Sequence, residues 1–253
     1  MPKLTTNEAV MITIYDLGPS KFPEAFGCSP HVRRIIFALN YKQLPFKVFI
    51  IASSTVDSVA KSVGAPPTAT KPDGSPKYTV PFIHDSATGR SISDSFLIGE
   101  YLDEAYPHTP KLVPEGTRVL QTVLIDTFNA KLQLLLPVFV PSFCRFLSPE
   151  LRERIETLKG PLPDLLPAHE QKEVWEKARK GVEELLSDAA YGQSGSVFVG
   201  GEKPDFADFA LAASLATFKV MNGEDSDEWR NVSGWSKGRI GRLVEEILRH
   251  EGV

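Results

Sequence analysis

The chain has 253 residues, 42% of them hydrophobic and 24% charged, enough for one large domain or two small ones with a sizeable core. Its formal net charge of -4 excludes a general attraction to nucleic acid or anionic membrane. Its two cysteines, Cys28 and Cys144, make no disulfide framework, and no Cys/His group has metal-ligand spacing, so no metal is expected. The polar first ten residues lack the apolar centre of a signal peptide. The longest apolar stretch, 132–140, contains Pro137 and is far short of a membrane span. A soluble, cytoplasmic protein is the expectation.

In chain order, Met11 to Tyr15 alternates like a strand. Ser29-Pro30 then opens a helix: Ser29 suits the N-cap and Pro30 the first helical position, with Val32, Ile35, Ile36 and Leu39 on one face. A strand feeding such a helix start forms an anion site, because unpaired N–H groups and the helix dipole converge there. Pro45 to Ile51 reads as a second strand and Ser58 to Val63 as a short helix. Pro72-Asp73-Gly74 is a turn in a proline-rich loop, Gly64 to Lys77. Val80 to His84 and Ser91 to Ser93 read as strands around a hairpin loop, Asp85 to Gly89, and Phe96 to Tyr106 as a helix. This β-α-β-α-β-β-α order is an α/β unit.

After Pro107-His108-Thr109-Pro110 long helical patterns dominate. One runs from Thr117 to Phe146, with breaks expected at Pro137 and Pro141. Ser148-Pro149 opens another, 150–158, and Gly160 to Pro167 is a connector. Three more follow at 170–190, 205–221 and 236–249, the middle one the most apolar and so expected to be central. The expected architecture is a small α/β domain, 1–108, followed by an all-helical domain, 109–253.

Four motifs in this order resemble a cytosolic glutathione transferase, over nearly the whole chain from Met11. They are Ser29-Pro30 with Arg34, Thr79-Val80-Pro81, Asp94-Ser95-Phe96-Leu97-Ile98, and Gly200 to Asp208 before the apolar helix. The loop Asp16 to Gly27 and the phrases Phe37 to Lys42 and Gly64-Ala65-Pro66-Pro67 are most similar to the fungal-specific class related to bacterial β-aryl etherases, which binds plant phenolics. The resemblance implies a thioredoxin-like domain followed by a helical bundle domain, with glutathione as co-substrate, and a homodimer. The implied activity is transfer to a hydrophobic aromatic electrophile by conjugation or ether cleavage. Alternatives are a ligandin that sequesters phenolics and a regulatory protein without catalysis.

The resemblance assigns Ser29 as the catalytic residue. A hydroxyl donating to a thiolate is worth about 1.5–3 kcal/mol, or roughly one to two pKa units. A plain N-cap is the bland reading of the same residue. Cys28 is the rival, by mixed-disulfide chemistry. Val80 and Pro81, with a cis bond between them, would dock the cysteinyl backbone, against an ordinary trans proline. Asp94 and Ser95 would hold the γ-glutamyl end, or simply cap a helix. Arg34 reads as structural, and Lys42 or Lys77 as partner of the glycyl carboxylate. Asp205 and Asp208 read as a capping box, a folding determinant. The aromatic-substrate walls are Tyr15, Phe22 and Phe26 on one side and Phe139, Phe143 and Phe146 on the other, each as readily core as wall. Trp229 and Trp235 either cover that pocket or pack, and Cys144 is core or pocket lining.

Overall fold

The computed structural model describes residues 11–18, 29–191 and 195–250. The first half contains, in order, β1 (Ile12–Gly18), α1 (Pro30–Tyr41), β2 (Phe46–Ala52), a 3-10 turn (Ser53–Thr55) and α2 (Val56–Ser62). It continues with β3 (Ala69–Thr70), β4 (Pro76–Lys77), β5 (Phe82–Asp85), β6 (Arg90–Ser93) and α3 (Ser95–Ala105). The main sheet has the order β2-β1-β5-β6. β2 runs parallel to β1, whereas β5 and β6 are antiparallel to their neighbours. This is a thioredoxin-like sheet. The pair β3–β4 was not foreseen; each strand is two residues long, too short to alternate, and only its Pro72–Gly74 turn was legible.

The helical half consists of α4 (Arg118–Gln133), α5 (Leu136–Cys144), α6 (Pro149–Lys159), α7 (Ala168–Leu185), α8 (Asp188–Tyr191), α9 (Phe206–Asn222), α10 (Asp227–Ser233) and α11 (Trp235–Leu248). The first expected break falls just before Pro137, where α4 and α5 meet at 80°. No single described helix is long and apolar enough to cross a membrane. Pro141 does not break α5. It has no N–H for the Pro137 carbonyl, and that carbonyl instead accepts from Leu166 N–H at 3.1 Å. The segment read as one helix over 170–190 is α7 plus the short α8. α10 was missed because seven residues carry too little periodicity; Ser226 caps it, accepting from Trp229 N–H at 3.1 Å. α11 is entered through Ser236, Lys237 and Gly238, all at positive φ.

One apolar core runs through both halves. α1 is buried on almost every side, because it lies between the sheet and both α3 and α9. The predicted stripe of Val32, Ile35, Ile36 and Leu39 is therefore joined by Phe37 and Ala38. α9 is the central helix, packed on α1, α4 and α11. At its start Phe206 fits against Gly99 of α3, where a Cβ would come within 2.8 Å of the ring. Only glycine permits that approach. Arg154 of α6 and Lys77 of the first half add polar links across the same divide.

Candidate active site

β1 leads toward α1, and Ser29 sits at the N-cap of that helix with extended backbone (φ -85°, ψ 114°). Its carbonyl accepts from the N–H groups of Val32 and Arg33. Its half-buried hydroxyl caps nothing and bonds to no other described residue. The expectation that the hydroxyl caps α1 is thereby corrected. Pro30 needs no N–H partner, so the helix start is stable while the hydroxyl stays available beside the positive end of the dipole.

β5 is preceded by the segment Tyr78-Thr79-Val80-Pro81, whose Val80–Pro81 bond is cis rather than trans. Neither the N–H nor the C=O of Val80 makes a hydrogen bond to any described residue. Those two groups form an open edge of the kind that accepts an added extended peptide. Tyr78 is buried in the small core beneath α2, and the hydroxyls of Thr68 and Thr79 lie 3.0 Å apart.

At the start of α3, Asp94 has φ 76° and accepts from the N–H groups of Phe96 and Leu97 at 2.9 and 3.1 Å. Its capping role is present, and one oxygen does all of it. Ser95 is buried beside it and accepts from Arg34 Nη1 at 3.5 Å. Burial pushes the Arg34 guanidinium down to about 10, with the Asp94 and Asp126 charges opposing. Its Nε and Nη2 make no hydrogen bond among the described residues. A cation so enclosed, touching the first residue of a helix, gives that corner a strong preference for an anion.

Several predicted residues already have partners in the fold. Lys42 does not face this site: its Nζ bonds Asp103 at 2.7 Å and the Pro110 carbonyl at 2.9 Å, with the side chain fully enclosed. It fastens α1 to the chain leaving α3, and a lysine spent on a buried carboxylate cannot also hold a ligand. Lys77 donates to the Leu158 carbonyl of α6 at 3.3 Å. Tyr15 is no wall; it is buried and stacked on Phe82, ring centres 4.5 Å apart. Phe139 is core as well, edge-on to Trp175 and to Phe218 at 5.3 and 4.6 Å. Phe22, Phe26 and Cys28 lie outside the described residues. Trp229 and Trp235 are buried packing residues.

Phe143 and Phe146 are only half-buried. They join Leu17, at the end of β1, in a separate apolar cluster with Leu147 and Leu151. Leu17 was missed because a leucine in a strand carries no sign of which face a distant helix will cover. Two surface depressions, of about 240 and 430 Å³, lie by Asp103 and by Trp175, away from Ser29. Among the described residues no group of three His, Cys, Asp or Glu is placed to hold a metal.

The sequence matches the model of the glutathione S-transferase N-terminal domain over residues 28–105 and that of the C-terminal domain over 119–250. The chain belongs to the glutathione S-transferase family. A glutathione S-transferase of Ceriporiopsis subvermispora, CsGST63524, solved in complex with glutathione, is 31% identical with TM-score 0.85, covering 97% of this chain and 99% of that one. Glutathione transferase GSTFuA3 of Phanerochaete chrysosporium is 26% identical with TM-score 0.84, over 97% and 99%. A curated relative, the glutathione S-transferase-like protein ustS of Aspergillus flavus, is 26% identical over 95% of this chain and 91% of its own. The glutathione S-transferase fold, with its thioredoxin-like half and helical half, is thus shared along nearly the full chain.

Proposed function

We propose that this transferase activates glutathione with Ser29 and delivers the thiolate to a hydrophobic aromatic electrophile. The observation that carries the reading is the Ser29 hydroxyl, uncommitted at a helix start where its residue type would ordinarily be used for capping. Residues 1–108 hold glutathione and residues 109–253 supply the apolar side of the cleft.

In this arrangement the Ser29 hydroxyl donates to the glutathione sulfur. A thiol of pKa about 8.5 is mostly protonated at neutral pH. A charge-assisted bond of about 1.5–3 kcal/mol, with the smaller dipole contribution, brings it to roughly 6.5–7.5. Ser29 keeps its own proton. The free N–H and C=O of Val80 pair with the cysteinyl backbone. Ser95 and the first N–H groups of α3 take the γ-glutamyl carboxylate, with Arg34 behind them, and the second oxygen of Asp94 faces the adjacent ammonium. Lys77, with donors to spare, remains for the glycyl carboxylate. The sulfur then forms a bond to the electrophilic carbon as the leaving group departs; in an ether, that group is an aryl oxide.

The apolar cluster of Leu17, Phe143, Phe146 and Leu151 suits a flat aromatic substrate. That agrees with the fungal class related to bacterial β-aryl etherases and with plant phenolics as ligands. A homodimer is supported by the face of α3 and α4. Arg118 and Glu100 tie those helices at 2.6 Å, and beside them Leu97, Val119, Leu120 and Val123 stand exposed, more apolar side chains together than a monomer usually shows. Val123→Asp should halve the mass seen by sedimentation.

The deciding experiment is turnover of an aromatic electrophile by Ser29→Ala at pH 6.5. Loss of a charge-assisted donor predicts roughly 10- to 100-fold lower kcat with glutathione affinity kept. Equal turnover in both proteins would defeat the reading.

A further inference from the structure

α6 packs against the 3-10 turn that follows β2, and one of its side chains reaches well beyond that contact. Arg154 donates from Nη1 to the Ser53 carbonyl at 2.9 Å, and from Nη2 to the Tyr78 carbonyl at 2.9 Å and to Asp57 Oδ1 at 3.2 Å. All three acceptors belong to the thioredoxin-like half. Tyr78 lies two residues before Val80, so one guanidinium from the helical half grips the segment bearing the open backbone edge. Lys77 adds a second link to the same helix through the Leu158 carbonyl. The opposite end of α6 contributes Leu151 to the apolar cluster with Phe143 and Leu17. A single helix therefore borders the cleft and pins the edge.

The geometry points to Arg154 as a positioning residue for glutathione: from the helical half it fixes the Tyr78–Pro81 edge on which the tripeptide docks. This rests on the proposed docking at Val80. The fork suits the task, since a planar guanidinium satisfies several acceptors in fixed directions where an ammonium is a point charge. Pre-setting the edge removes an ordering cost that glutathione would otherwise meet on binding. Arg154 bonds Ser53, Asp57 and Tyr78 and not Ser29, so affinity and thiol ionisation should separate. Asp57 is one-third exposed and is also met by Lys71 at 3.5 Å, so removing Arg154 strands no buried charge.

The test compares wild type, Arg154→Met and Arg154→Lys as full-length protein. Calorimetry gives the glutathione Kd, ultraviolet absorbance the pKa of the bound thiol, and hydrogen exchange the opening of residues 78–80. For Arg154→Met the expected result is a Kd about tenfold higher, a thiol pKa within about 0.3 of wild type, and faster exchange at 78–80 with α9 unchanged. Arg154→Lys should recover part of the affinity and hold the exchange between the two. Unchanged affinity or unchanged exchange at 78–80 in either variant overturns the proposal, as does a thiol pKa that rises in step with Kd. Should Arg154→Met fail to fold, Arg154→Lys alone decides by the same two readouts. Should wild type bind no glutathione, the docking reading falls, and Arg154 as a positioning residue for glutathione falls with it; exchange at 78–80 then reports only whether the grip itself exists.

Discussion

Two helix starts in this molecule use the same residue chemistry to opposite ends. At α9, Asp205 accepts from the N–H groups of Ala207 and Asp208, while Asp208 accepts from Val199, Gly200 and Asp205. Gln121 of α4 reaches in to the Ala207 N–H at 3.0 Å. Both oxygens of Asp208 are occupied, and Asp208 is wholly buried. At α1, by contrast, the residue in the same position leaves its hydroxyl unused. The first arrangement spends side-chain chemistry on the fold; the second leaves the hydroxyl uncommitted. A polar group that a local rule would pair, yet which stands open inside a well-packed scaffold, is where function is to be sought.

The contrast can be broken from either end. The largest effect belongs to Asp208→Ala, which removes the acceptor of the Val199, Gly200 and Asp205 N–H groups. It should cost roughly 2–4 kcal/mol and lower the thermal midpoint by roughly 5–15 °C, while the folded fraction keeps its glutathione affinity. A change in affinity with stability intact would make the α9 box part of the site. The smallest effect belongs to Ser29→Ala. Because its hydroxyl holds no backbone group, stability should move by less than about 0.5 kcal/mol, measured by denaturant titration. A loss near 1 kcal/mol, the ordinary worth of a cap, would mean that the serine serves the helix after all.

How much of this could be read from the sequence follows the range of each signal. The α9 box spans four residues, and the α1 start needs only Ser29, Pro30 and a stripe about two turns long, so both were legible. The β5–β6 hairpin was legible for the same reason. Side-chain allegiance was not. Tyr15 and Phe139 have the composition of a substrate wall, but their partners Phe82 and Phe218 come from distant elements. Lys42, at a helix end where lysines are usually exposed, is enclosed by Asp103, 61 residues away. Arg154 finds its carbonyls 76 and 101 residues upstream, on a helix whose many charges give no hint of one being singled out. Long-range partners of polar groups leave no periodicity behind.

The central claim concerns a proton on sulfur, and it is most directly tested by titrating the bound thiol through its thiolate absorbance in wild type and Ser29→Ala. The account predicts a pKa near or below about 7 in wild type, rising by roughly one to two units in the variant. A pKa that is the same in both proteins would contradict it.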